Sequence, residues 1–166
     1  GFAIAAVLGV LAGWVLGKFR RVSKVVGPFI ILFNAMPKIA FLPLILVVYG
    51  VAEMSKVVLV VIIVFFVVQV PTQAAVSLVD PDVEMVATTM GATQLQLFSK
   101  VTLPAIMPAV LGALRLGAII AVQGAVFGEI FAAKRGLGQR LITQANQLHY
   151  DALFAMVFVL AVGSLV

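Results

Sequence analysis

The sequence predicts an all-α integral membrane protein, a polytopic helical bundle. Three observations predict it. Hydrophobic residues fill 64% of the 166 positions and charged residues only 10%, whereas a soluble domain runs near half apolar and a quarter charged. One soluble core cannot cover that much apolar surface, so lipid must cover part of it. Long apolar runs recur along the whole chain, which excludes a single span or a signal anchor. Finally, eleven Lys and Arg against six acids give a net charge of +5. Those basic residues cluster between apolar runs, the pattern of membrane-flanking loops and not of a nucleic-acid surface.

The first run, residues 1–17, carries no charge and has Gly1, Gly9, Gly13 and Gly17 four or eight apart. That spacing lines one helical face, and small residues there let a second helix approach closely. Lys18, Arg20, Arg21 and Lys24 then mark a cytoplasmic end. From Val25 to Ala52 the only charge is Lys38, and Pro28, Pro37 and Pro43 rule out one ideal helix. A short segment, a break near Asn34–Pro37 and a spanning helix to about Tyr49 are expected. Residues 50–56 form a loop.

Residues 57–79 are charge-free and rich in Val and Ile. Such β-branched composition suits a strand, but the length suits a bilayer-spanning helix of about 20 residues. An open strand also leaves its backbone unsatisfied in lipid. Asp80-Pro81-Asp82-Val83-Glu84 starts a short amphipathic helix: an N-cap, a proline at the first helical position, and acids in the first turn. Gly91 closes it. Thr93 with Gln96 forms a capping box that opens a second helix, which runs into a span from about Ala105 to Ile130. A polar loop, AAKRGLGQRLITQANQLHYD, precedes a final span from about Ala152. The chain reads as one transmembrane domain over 1–166, an excerpt lacking a helix before Gly1 and part of one after Val166.

The composition also excludes chemistry. There is no cysteine, one histidine and six acids, so thiol catalysis and Cys-based metal sites are out, and no catalytic residue, metal or cofactor is expected. His149-Tyr150-Asp151 has no further member to complete a triad. Gly136-Leu137-Gly138 is not a phosphate loop, because no Lys-Ser/Thr follows at the required distance. Any ATP hydrolysis belongs to another chain.

Gly91, nine residues, then Val101-Thr102-Leu103-Pro104 resembles the loop signature G-x9-[IV]-x-L-P of binding-protein-dependent ABC import permeases. That family usually carries Glu-Ala-Ala six residues before the glycine. Here Met85-Val86-Ala87 keeps the second Ala, with Glu84 one position early. Met36-Pro37-Lys38 through Pro43-Leu44, then Tyr49-Gly50, is similar to a stretch of the nitrate/sulfonate/taurine branch. Leu103-Pro104-Ala105-Ile106-Met107-Pro108 with Gly112-Ala113-Leu114-Arg115, and Glu129 before Gly136-Leu137-Gly138, extend the match over roughly residues 27–140.

The resemblance implies a six-helix permease subunit of the bacterial cytoplasmic membrane, of which this chain holds helices two to six. It implies a second permease subunit, with a homodimer preferred and a heterodimer left open. It also implies ATP-binding cassette ATPase subunits inside, a substrate-binding protein outside, and no nucleic-acid partner. Glu84, Met85, Ala87, Gly91, Ala92, Leu103 and Pro104 would belong to the ATPase-coupling loop, the short helix being the coupling helix. Lys18–Lys24 and Asp80–Lys100 would face the cytoplasm, and 50–56 and 134–147 the outside.

Asn34 and Gln123 are polar residues within spans, and Glu129 is an acid at a span end. All three are candidates for the translocation path, against the plainer readings of interhelical hydrogen bonds and, for Glu129, a salt bridge to Lys134 or Arg135. Lys38 and Arg115 read as snorkelling side chains. The solute would be small and anionic, sulfonate-, nitrate- or taurine-like, with bicarbonate and pyrimidine-like solutes also open. Scarce intramembrane charge argues against the rival reading of an ion-coupled carrier.

Overall fold

The computed structural model describes residues 1–132 and 136–163. All regular structure among them is helical. In chain order these are α1 (Phe2–Lys18), α2 (Arg20–Ala35), a 3-10 turn (Lys38–Phe41), α3 (Leu42–Tyr49) and α4 (Glu53–Ser77). They continue with α5 (Pro81–Thr89), α6 (Gln94–Leu97), a π-helical turn (Phe98–Thr102), α7 (Leu103–Ala132), α8 (Leu137–Asn146) and α9 (Tyr150–Gly163).

The centre of the bundle is a small-residue seam between α1 and α4. Ala5, Gly9, Gly13 and Gly17 are buried on one face of α1. Opposite them, Val60, Val64, Val68, Thr72 and Val76 are buried on α4 at the same spacing of four. The approach is too close for any larger side chain. A Cβ at Gly13 would lie 2.7 Å from both the Gln69 carbonyl and Thr72 Cβ, and one at Gly17 would lie 2.5 Å from Val76 Cβ. Seams of this kind hold helices together in lipid, where no hydrophobic difference exists between protein and solvent.

α7 closes the core on the other side. Its Ile106 and Val110 pack with Val76, against Trp14 and Val10 of α1, and Leu114, Ala121 and Ala125 cover the Ala5–Val60–Val64–Val68 cluster. α3 lies along α4 through Leu42, Ile45 and Leu59. α2 and α9 bury no residue within the chain, so their apolar faces, including Phe29, Ile31 and Phe158, are open.

Among the described residues, two continuous helical stretches are long and apolar enough to cross a membrane, α4 and the run from Gln94 to Phe131. The α2–α3 pair counts as a third when taken as one broken span, and α1 and α9 are shorter apolar helices. About five transmembrane helices are expected from the sequence; two, or three with the bent pair, reach spanning length among the described residues.

Three details differ from expectation. The segment after the break is no spanning helix: α3 has eight residues, about 12 Å at 1.5 Å per residue. It is bent 88° from α2. Met36 is extended there (φ −68°, ψ 140°), as a residue before proline must be. In contrast, Pro28 does not interrupt α2, which begins at Arg20 and so holds most of the basic cluster in its first turns. The polar stretch after α7 is not all loop, because α8 occupies Leu137–Asn146 and packs on α7. Leu137 and Leu141 stand one turn apart, and Gln, Arg and Leu are good helix formers. That pattern is too short and too polar to stand out beside the spans.

Candidate functional site

The interval from Asp80 to Thr102 folds as its caps dictate. The Asp80 carboxylate accepts from the Asp82 N–H at 2.9 Å, with Pro81 at the first helical position of α5. Gly91 lies just past the end of α5 with φ +84°. The Gly91 N–H donates to the Thr88 carbonyl and the Ala92 N–H to the Ala87 carbonyl, the double bond of a Schellman turn. The Thr93 side chain accepts from the Gln96 N–H while the Gln96 side chain accepts from the Thr93 N–H, so the capping box is complete. Leu103 and Pro104 then open α7.

The result is a short, doubly capped helical elbow with an apolar outer face. Asp82, Val83, Val86, Ala87 and Met90 line a shallow hollow of about 380 Å³. Met85 and Met90 are exposed, Met90 at 84%. Glu84 points the other way. Its Oε1 is 3.4 Å from Lys18 Nζ at the end of α1 and accepts from the Thr102 hydroxyl at 3.3 Å. The Trp14 and Phe98 rings, 4.8 Å apart, pack α1 against the π-helical turn, and Leu97 is buried. The elbow is therefore anchored on its inner side and open on its outer side.

Two clefts flank the α2 break. One, of about 680 Å³ between α2 and α4, is lined by Ser23, Lys24, Asn34, Gln73 and Ser77 among apolar groups. The other, of about 280 Å³, is lined by Lys38, Ile63, Gln123 and Phe127. Asn34 and Gln123 thus stand in different clefts, and Lys38 joins them. Its ammonium donates to the Asn34 carbonyl at 2.8 Å and to Asn34 Oδ1 at 3.1 Å, and it sits 5.3 Å from the centroid of the Phe66 ring.

The sequence reading missed the polar ladder behind the larger cleft. Gln69 Nε2 donates to Gln73 Oε1 at 2.6 Å, and Gln73 Nε2 donates to Ser23 Oγ at 3.0 Å. Gln69 itself is fully buried, with its carbonyl oxygen unpartnered. The signal was available: two glutamines four apart, with Thr72 between them, inside a charge-free span.

Glu129 belongs to neither cleft. Its carboxylate accepts from the Gly138 N–H at 3.0 Å, at the start of α8, where a negative charge is favoured. Gly136, with φ +143°, has no room for a side chain beside that carboxylate. The Glu129–Gly136–Gly138 pattern is thus a cap that joins α7 to α8. Lys134 and Arg135, proposed as its partners, lie outside the described residues. Near Glu129 a hollow of about 360 Å³ also receives Glu53 and Lys56, themselves paired at 2.6 Å. His149 contacts Gln144 through its ring and backbone, a local helix-end contact. Arg115 is exposed on α7.

Residues 5–166 match the family model of the binding-protein-dependent transport system inner membrane component. The chain is 32% identical over 97% of its length to the formylaminopyrimidine transport permease protein of Halalkalibacterium halodurans, covering 64% of that protein. It is 30% identical over 95% of its length to the taurine transport system permease protein of Escherichia coli, covering 58% of it. It is also 30% identical over 98% of its length to the putative aliphatic sulfonates transport permease protein of Bacillus subtilis, covering 59%. The chain thus spans about three fifths of the length of these relatives, which are transport permease proteins by name. The apolar helices, the capped elbow between two of them and the family match agree: this chain belongs to the binding-protein-dependent transport system inner membrane components.

Proposed function

We propose that the chain is the core of a permease subunit that moves a small anionic solute inward by alternating access, driven by ATP hydrolysis on separate ATPase subunits. One observation carries the reading: a rigid capped elbow between two apolar helices, apolar on its outer face and anchored within the bundle. A knob of that kind suits a cleft on a soluble partner, and exposed apolar patches on such elements mark interaction sites. An extracytoplasmic binding protein delivers the solute. A second copy of the subunit, with lipid, covers α2 and α9.

The solute path runs along the α2–α4 cleft and past the break. Asn34, Lys38 and Gln123 are its polar points, and Lys24 and Lys38, which line the two clefts, favour an anion. The relatives carry taurine, aliphatic sulfonates and formylaminopyrimidine by name, and sulfonates fit the Lys38 ammonium best.

The test is uptake into vesicles holding the full-length subunit, its ATPase and its binding protein, with labelled taurine, an alkanesulfonate and a formylaminopyrimidine. ATP-dependent accumulation of a sulfonate is the expected result. Accumulation driven by an ion gradient without ATP would instead make the protein a secondary transporter.

A further inference from the structure

We propose that the Lys18–Glu84–Thr102 contact is the mechanical link that carries movement of the cytoplasmic elbow into the bundle, with Lys18 and Thr102 as its positioning residues. The inference rests on the coupling reading of α5 given above.

One carboxylate oxygen serves three elements. Glu84 Oε1 on α5 meets Lys18 Nζ at the end of α1 and the Thr102 hydroxyl in the turn before α7. The contact is not a freely solvated surface pair. The Lys18 and Glu84 side chains are 18% and 31% exposed, and Thr102 is fully buried. Partly buried charges are screened by salt much less than exposed ones.

Besides this contact, α5 is joined to the neighbouring helices by the backbone of the Leu78–Asp80 turn and the Gly91 turn. Gly91 has a left-handed conformation, and a Cβ there would meet nothing within 4 Å. With the link, a push on the outer face of α5 reaches the end of α1 directly. From there the route is continuous. α1 is locked to α4 along the small-residue seam, and α4 holds α2 through the Gln73–Ser23 bond. α2 is one wall of the larger cleft. The same oxygen reaches α7 through Thr102, at a π-helical turn, a distortion that recurs at functional sites in helices.

These 166 residues hold no cysteine, so paired spin labels report on chosen positions once any cysteine elsewhere in the full-length transporter is replaced. Labels at Leu11→Cys on α1 and Thr89→Cys on α5, both exposed, are read in the full-length transporter, nucleotide-free and trapped with ATP and vanadate. The parent is expected to give one narrow distance that is the same in both states. Lys18→Gln should still retain the ATPase in a pull-down, yet broaden that distance and let it shift with nucleotide. Thr102→Val should do so to a smaller extent. Lys18→Glu should be worst, and adding Glu84→Lys to it should restore the narrow distance. If Lys18→Gln fails to insert, Thr102→Val and the charge swap carry the test.

Parental distances in Lys18→Gln and Thr102→Val, or a swap no better than Lys18→Glu alone, would overturn the link. Loss of the ATPase from Lys18→Gln would also overturn it, since Lys18 would then serve attachment. Failure of the underlying reading looks different. Ala87→Arg, on the outer face, would retain the ATPase as well as the parent does.

Discussion

At the scale of single residues, Gly91 and Lys38 separate conformation from chemistry. Gly91 has φ +84° and nothing within 4 Å of a would-be Cβ. Gly91→Ala therefore costs only the left-handed backbone, about 1–2 kcal/mol, and no clash. Its expected consequence is a frayed α5 with normal insertion, checked by faster amide exchange over 87–92 and an unchanged melting temperature of the bundle. Lys38 is held by Asn34 and faces the ring of Phe66. Lys38→Met should raise KM for a sulfonate by about tenfold or more, since a charge-assisted contact contributes roughly 1.5–3 kcal/mol, while ATPase retention stays normal. An unchanged KM would remove Lys38 from the path. The sequence made the Gly91 turn readable because local caps obey local rules. It left Lys38 looking like a snorkelling side chain, because the side chain that holds it depends on how the chain turns at Pro37.

At the scale of elements, the α1–α4 seam carries the most specific demand. Gly13→Leu or Gly17→Val must push the helices apart, because a Cβ alone meets backbone or branched carbon at 2.5–2.8 Å. Overpacking of a tight interface typically costs about 1–3 kcal/mol, and the larger value is expected here. Gly27→Ala and Gly112→Ala meet nothing within 4 Å and serve as controls. Thermal unfolding in detergent should fall by several degrees for the first pair and stay within error for the second. The glycine spacing predicted this seam from sequence. Its partner helix was not legible, since the valines of α4 fill every face alike. Likewise the cap between Glu129 and Gly138 was hidden. A salt bridge is read from charges, but a carboxylate on a backbone N–H requires knowing that α8 begins there. Glu129→Gln keeps one acceptor oxygen, so it should loosen α8 modestly, while Glu129→Ala should raise amide exchange across 138–142.

At the scale of the whole molecule, the claims are a sidedness and a direction of coupling. The elbow and the α3–α4 loop must lie on opposite faces of the membrane. Ser55 is fully buried and bonded to the Gly50 carbonyl, so Val51, 60% exposed, is the better probe of that loop. Val51→Cys should label from outside and Ser99→Cys from inside in sealed cells, and labelling of both from one side would break the topology. The overall class was legible because composition and run length are global properties that lipid alone explains. The proposed solute path was not. The polar residues that line its two clefts, among them Ser23, Asn34, Lys38, Gln73 and Gln123, come from four elements that only the fold gathers.

The most direct measurement for the central claim is retention of the ATPase subunit on the full-length permease when the outer face of α5 is altered. Ala87→Arg puts a long cation into the hollow between Val83, Val86 and Met90, and Gly91→Val disturbs the turn that sets the angle of α5. Both lie outside the core, so insertion and folding should be normal. The account predicts that each variant retains far less ATPase in a pull-down than the parent, with Ala87→Arg losing more. Retention equal to the parent in both would contradict it and leave the elbow a plain connector.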